Sequence, residues 1–170
     1  MNPIEAFVNV ASGYCTVIDG YADHSAEQFL DQVRKNLSLL YHHALGLPEC
    51  ETNESGIALS AEHDDWKTVR DGIAELLGCN NAYWQIFDPI QETPSGPVVS
   101  AISDDLADIW GDLVRGVALW PTASECEQRD IVWHWRFMFQ YHWSNHVVDA
   151  MRAINWVAES YGVRDSDETS

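Results

Sequence analysis

Hydrophobic residues recur at intervals of three and four positions along most of the chain, as they do on the buried face of an α-helix. The pattern predicts five helices, over residues 3–19, 25–45, 60–77, 103–119 and 124–161. Two of these helices begin with the sequence of a capping box, at Ser25 and at Ser124. The predicted fold is therefore all-α, a single-domain bundle of about five helices over residues 1–163, followed by a polar C-terminal tail over residues 164–170.

The segment between the third and fourth predicted helices has no helical periodicity. Residues that favour turns interrupt it repeatedly, namely Asn80, Asn81, Pro89, Pro94, Gly96 and Pro97. Residues 83–87 have the composition of a strand, but a lone strand has no partner and even an isolated hairpin is marginal. We therefore expect residues 79–100 to form an extended loop that packs through its aromatic side chains.

The last predicted helix is long and broadly apolar. Its apolar residues cover two adjoining sides, with Val132, Phe139, Trp143, Ala150, Ile154 and Val157 on one side and Trp133, Phe137, Tyr141, Val148 and Met151 on the other. A helix with so wide an apolar surface is expected in the middle of a bundle.

The fourth predicted helix has a clear division between an apolar and an acidic side, and Ser103 is its predicted N-cap. The polar side carries Asp104, Asp105, Asp108, Asp112 and Arg115. Aspartates at these spacings also resemble a metal-binding face, but their separation from the apolar side is typical of a helix face in solvent. We therefore expect these carboxylates to face solvent.

The composition excludes several classes of function. The 170 residues include 27 Asp and Glu but only 9 Lys and Arg, which gives a formal charge of −18. This charge disfavours direct binding to nucleic-acid phosphates or to an anionic membrane surface. No apolar stretch approaches the ~18 residues of a membrane span, and the first residues lack the basic start of a secretory signal. We therefore expect a cytoplasmic protein. A basic protein partner and metal cations are both compatible with the charge, but solubility alone is its more common reason.

One group of residues in the last predicted helix has the spacing of a metal site. His142 and His146 are four positions apart and Asp149 follows three later, so their side chains project from successive turns of one face. Two imidazoles and a carboxylate suit Zn, Fe or Ni, and Asp105 or Asp108 could complete the coordination. The opposing interpretation is a polar face in solvent with ordinary hydrogen bonds. Sequence signatures of nucleotide sites, hydrolases and zinc proteases are absent, and the four separated cysteines predict free thiols.

Three parts of the chain together resemble a known family. They are residues 37–48, residues 103–113, and residues 133–135 with 142–153. These segments are similar to a bacterial family catalogued as domain of unknown function 5063, and the resemblance covers about residues 5–160. It implies a compact helical protein without an assigned activity, so no catalytic residue follows from it.

The expected function is that of a non-enzymatic, acidic interaction or accessory protein of the bacterial cytoplasm, with no cofactor. The first alternative is a helical-bundle enzyme that binds a divalent metal through His142, His146 and Asp149. A further alternative is a DNA mimic, whose carboxylates take the place of phosphates. A third is a small-molecule pocket between the loop around Trp84 and the last helix.

Overall fold

A computed structural model describes residues 2–86, 90, 92–93 and 96–167, and the side chains as far as residue 159. The described part is mostly helical and forms a single domain, as predicted, and it also contains one small two-stranded sheet. Its elements are α1 (Pro3–Asp19), α2 (Ala26–Ala44), α3 (His63–Leu77), β1 (Ala82–Gln85), β2 (Val98–Ala101), α4 (Ile102–Leu119), α5 (Glu125–Met138) and α6 (Ser144–Asp167). Residues 164–167, expected in the polar tail, continue α6, and residues 168–170 lie outside the described part. No described helix has the length and apolar character needed to cross a membrane.

Local capping fixes where two of the helices begin. The Ser25 hydroxyl accepts a hydrogen bond from the Gln28 backbone while the Gln28 side chain accepts one from Ser25, and Ser124 and Glu127 form the same pair. Both predicted capping boxes are therefore confirmed. Each satisfies two backbone N–H groups that the first turn of a helix leaves without a partner.

The start of α4 differs from the prediction. Ser103 is not the N-cap but lies inside the helix, and its backbone N–H donates to the Asn81 side chain over 2.9 Å. The Asn81 carbonyl accepts from Ile102 N–H over 2.9 Å as well. A residue that is distant in sequence thus caps the helix, which a local sequence pattern cannot reveal.

The expectation of a loop over residues 79–100 was wrong in part. β1 pairs antiparallel with β2, so that Ala82 lies opposite Ala101 and Gln85 opposite Val98. The partner strand begins directly after Pro97, where the turn residues conceal the short β-branched run that follows. Of the strand-like residues 83–87, Phe87 lies outside the described part.

The helical stretch from Glu125 to Asp167 contains a π-helical turn at Phe139–Trp143. Its buried residues Trp135, Phe139, Trp143 and Val147 are each four positions apart. In a regular α-helix such a row would drift around the axis by about 40° per step, because four residues exceed one turn of 3.6. The wider π turn keeps the row facing the core.

The core lies where α1, α2, α4 and α6 meet. Its largest buried side chains are aromatic and aliphatic, among them Phe7, Tyr14, Phe29, Trp135 and Trp143. α4 contacts α1, α3, α5 and α6, so it is enclosed on several sides. The expectation that its aspartate side faces solvent was wrong for Asp105 and Asp112, which are each only 5% exposed, whereas Asp104 is exposed as expected.

Candidate metal-binding site

The acidic side of α4 faces the histidines that follow α5. Asp105, Asp108 and Asp112 occupy one side of α4, since residues three and four positions apart lie on one helix face. His142 lies in the π turn and His146 in the first turn of α6. We refer to these five residues as the carboxylate–histidine cluster. Packing of α4 against α6 brings the two rows together.

The first histidine is held by a buried carboxylate. The Nδ1 atom of His142 lies 2.7 Å from Oδ2 of Asp112. This hydrogen bond is the main cause that raises the pKa of His142, although partial burial opposes it. With Nδ1–H donating to the carboxylate, the other ring nitrogen, Nε2, is left as a free acceptor.

The second histidine repeats the arrangement and adds a tyrosine. Nδ1 of His146 lies 2.8 Å from Oδ1 of Asp105, and the Tyr83 hydroxyl donates to Oδ2 of the same carboxylate over 2.6 Å. Burial lowers the pKa of His146, but the bond to Asp105 and the charges of Asp105 and Asp108 outweigh burial and raise it. Burial and the bond to Asp105 raise the pKa of Tyr83, so its hydroxyl stays protonated and remains a donor.

Asp108 is the third carboxylate of the cluster and lies beside His146. Its Oδ1 accepts a hydrogen bond from Trp66 Nε1 over 2.8 Å, and its Oδ2 lies 3.5 Å from His146 Nε2. Burial raises the pKa of Asp108, while the charge of His146 and the bond from Trp66 oppose that effect. One ligand atom from each of Asp108, His142 and His146 lies within 4.8 Å of the others.

These three residues fit a divalent metal ion. Two imidazoles and one carboxylate form the facial set found in mononuclear iron sites, and neutral imidazole also suits zinc, copper and nickel. Ligands at about 2.0–2.2 Å from an ion lie about 3–3.5 Å from one another, so the donors would have to draw together by about an ångström. The bonds from both Nδ1 atoms to carboxylates are the outer contacts that orient histidine ligands in metal sites.

A cavity of about 380 Å³ adjoins the cluster. Asp108 and His142 line it on one side, and Ser60, His63 and Trp66 line it on the other. The His63 ring stacks on Trp66 with their centroids 5.6 Å apart. A small molecule in this cavity would therefore lie next to two of the three candidate ligands.

The structure brings together two of the three residues that the sequence singles out. His142 and His146 converge, but the carboxylate that joins them comes from α4, as Asp108, and not from Asp149. Asp149 is half-buried on α6, where burial and the nearby charge of Asp105 raise its pKa. Sequence reasoning gave no role to Trp66 and Tyr83, because their contacts with Asp108 and Asp105 span 42 and 22 positions of the chain.

The chain matches one family model over most of its length. A family model described as a domain of unknown function (DUF5063) matches residues 2–160, which confirms the resemblance seen in the three segments. No curated protein matches the chain. Its structure is similar to the crystal structure of protein BF1032 from Bacteroides fragilis, with a TM-score of 0.80 and 24% sequence identity over 92% of each chain. At that identity the similarity shows the fold alone.

Proposed function

This chain belongs to the domain of unknown function 5063 family, and we propose that it binds one divalent transition-metal ion through His142, His146 and Asp108. One observation carries the proposal. Both imidazoles have Nδ1 engaged by a nearly buried carboxylate, which leaves Nε2 of each ring for an ion, and Nε2 of His146 already lies 3.5 Å from the third carboxylate, Asp108.

The charge balance of the cluster supports the same function. Three carboxylates lie around two imidazoles, and two of those carboxylates are nearly inaccessible to water. A buried carboxylate requires a nearby positive charge or several hydrogen bonds. A divalent ion between the helices would supply that charge. The competing possibility is that protonated histidines supply it, and metal titration distinguishes the two.

The number of ligands favours a catalytic site. Structural zinc sites are closed by four protein ligands, whereas catalytic sites keep a position open for water or substrate. Three protein ligands beside a cavity of about 380 Å³ match the second description. We therefore propose that an ion held by His142, His146 and Asp108 would supply a Lewis acid for a bound water or a substrate oxygen, as in metal-assisted reactions.

The test is metal binding by untagged protein stripped with a chelator. Isothermal titration with zinc, nickel, manganese and, under anaerobic conditions, ferrous salts should show one ion per chain for at least one metal. We expect His142→Ala and Asp108→Asn each to weaken binding by about 100-fold or more, since each removes or neutralises a direct ligand. The control is His42→Ala with His43→Ala, an adjacent pair on α2 outside the cluster.

Two results would count against a metal site. One is that none of these metals binds at concentrations up to about 1 mM, the affinity of the weakest specific sites. The other is that the His142 variant binds as tightly as the wild type while the control pair loses binding, which would place the ion at the α2 histidines.

A second candidate is the acidic interaction or accessory protein expected from the composition. A row of neighbouring aromatic rings on α5 and the π turn favours it. Centroids of Trp133 and Phe137 are 5.0 Å apart and those of Phe137 and Tyr141 are 4.9 Å apart, and the last two residues are exposed. Exposed aromatic rings are enriched at protein interfaces. A partner that is captured at low salt and is lost when Phe137 and Tyr141 are changed to alanine would support this function.

DNA mimicry gains no support from α4, because two of its aspartates are buried.

A further inference from the structure

A second cavity, separate from the one beside the metal ligands, lies between β1 and α6. It measures about 350 Å³. We call it the indole cleft, because the side chains of Trp84 and Trp156 line it. Its charged lining residues are Asp149 and Arg152, and Asn80, Tyr83 and Gln85 are its uncharged polar ones.

The two charged side chains of the cleft are not paired with each other. Asp149 and Arg152 are three positions apart on α6, a spacing at which ion pairs commonly form. Yet among the described residues neither side chain has a partner within ion-pair or hydrogen-bond distance. Asp149 is half-buried and Arg152 is exposed at the rim. Within the described part of the chain, the cleft therefore presents one carboxylate and one guanidinium whose charges act on each other without direct contact.

The indoles form apolar walls that the fold itself does not use. Trp84 is 69% exposed and Trp156 is 68% exposed, and neither stacks on another described ring. Large aromatic surfaces left in water are costly, since each side chain can bury about 150–250 Å² on contact with a partner. A flat or apolar group between them would remove that surface from water.

The size and charge of the cleft narrow the class of ligand. A volume of about 350 Å³ is near the lower end of the range for small-molecule pockets, about 300–1,000 Å³, which disfavours a nucleotide. A single guanidinium beside a carboxylate also disfavours a polyanion, and Arg152 disfavours a simple cation. A ligand with one positive and one negative group satisfies both side chains.

We propose that the indole cleft binds a small zwitterionic molecule of the amino-acid class with an aromatic side chain. Its carboxylate accepts hydrogen bonds from Arg152, its ammonium group donates to Asp149, and its ring lies against Trp84 and Trp156. Arginine suits this role because its planar group binds a carboxylate through two parallel hydrogen bonds.

The cleft is linked to the metal site by hydrogen bonds. Tyr83 lines the cleft and donates to Asp105, which in turn holds His146. Ligand in the cleft would therefore lie two hydrogen bonds from a proposed metal ligand. Binding in the cleft uses none of the three metal ligands, so the two proposals can fail independently.

The experiment compares three probes on the metal-free full chain by isothermal titration. L-phenylalanine has both charged groups, phenethylamine lacks the carboxylate, and 3-phenylpropanoate lacks the amine. We expect L-phenylalanine to bind at least about tenfold more tightly than either of the others, because each of those leaves one charged side chain unpaired.

Substitutions of Arg152 and Asp149 test which side chain binds each charged group of the ligand. Arg152→Gln should weaken L-phenylalanine at least about tenfold and leave phenethylamine unchanged or tighter, while Asp149→Asn should weaken L-phenylalanine and leave 3-phenylpropanoate unchanged or tighter. Arg115→Gln, which makes the same charge change on α4 outside the cleft, should have no effect. Neither Arg152 nor Asp149 is buried, so their variants are expected to fold, and their thermal midpoints verify this.

Three outcomes would overturn the proposal. The first is that no probe binds at concentrations up to about 10 mM. The second is that phenethylamine or 3-phenylpropanoate binds as tightly as L-phenylalanine. The third is that L-phenylalanine binds, but Arg152→Gln and Asp149→Asn bind it like the wild type. Metal titration of the same variants distinguishes failure of the cleft from failure of the metal site.

Discussion

Substitution of Asp112 by Asn tests the proposed metal site without removing any of the three proposed metal ligands. The Asp112 carboxylate accepts a hydrogen bond from Nδ1 of His142 over 2.7 Å, and the residue is only 5% exposed. In Asp112→Asn the amide has two possible orientations. If its oxygen faces the ring, the hydrogen bond remains and the charge is lost. If its NH₂ faces the ring, Nδ1 must accept, and the proton moves to Nε2, where it blocks the ion.

The expected magnitude follows from this geometry. Loss of an outer contact to a histidine ligand typically reduces metal affinity by about 10- to 100-fold, or about 1.4–2.8 kcal/mol. The lower value corresponds to the first orientation of the amide, and the upper value to the second. Because Asn has nearly the same volume as Asp, packing of α4 against α6 should be preserved.

The assay is competition between the protein and a chromophoric chelator for the metal that binds best. Asp104→Asn is the matched control, since it makes the same charge change at the position next to Asp105, on a carboxylate that is hydrogen-bonded to neither imidazole. Its side chain is about half exposed and lies 3.7 Å from Arg70, not at an imidazole. We expect the control to change the affinity by less than about threefold, as for surface charges in general.

The proposed role of Asp112 is refuted if Asp112→Asn binds metal as tightly as the wild type while His142→Ala does not. That result would mean that His142 binds the ion without orientation by Asp112. Equal losses in the Asp112 and Asp104 variants would refute it in another way, by showing that the general negative field and not the hydrogen bond sets the affinity.

Two further predictions concern the apo protein. Asp130 accepts hydrogen bonds from the loop residues Thr52, Asn53 and Ser55; burial alone would raise its pKa, but these bonds outweigh burial and lower it. Asp130→Asn should therefore lower the free energy of unfolding, measured in urea at neutral pH, by about 2 kcal/mol, because one hydrogen bond to a charged acceptor is lost. The difference between variant and wild type should shrink as the pH falls below about 4, because protonation of Asp130 removes the stability that its lowered pKa gives the folded wild type. A cost that is independent of pH down to about 2 would contradict this explanation. Burial raises the pKa of the Cys15 thiol, so a disulfide reagent should modify Cys15 only when the protein unfolds. Mass spectrometry measures the modification, and a modified Cys15 in the native protein would contradict its burial.

Much of the helical architecture follows from local sequence. The capping boxes at Ser25 and Ser124 are contained within four consecutive residues each, so the signal and the structure that it forms occupy the same segment. The helix predicted over residues 3–19 coincides with α1. Features that require a distant partner were not predictable in this way, as the capping of α4 by Asn81 and the pairing of β1 with β2 illustrate.

For the candidate site, the sequence determined which residue types lie on one face of each helix. The four-residue spacing of His142 and His146 and the row of aspartates on α4 are properties of helical periodicity alone. Only the tertiary structure decided which rows face each other. The periodicity of one helix cannot distinguish a carboxylate in solvent from one buried against a neighbouring helix, because both lie opposite the same apolar side. The packing of α4 against α6 makes that choice, and with it Asp108 replaces Asp149 beside the histidines.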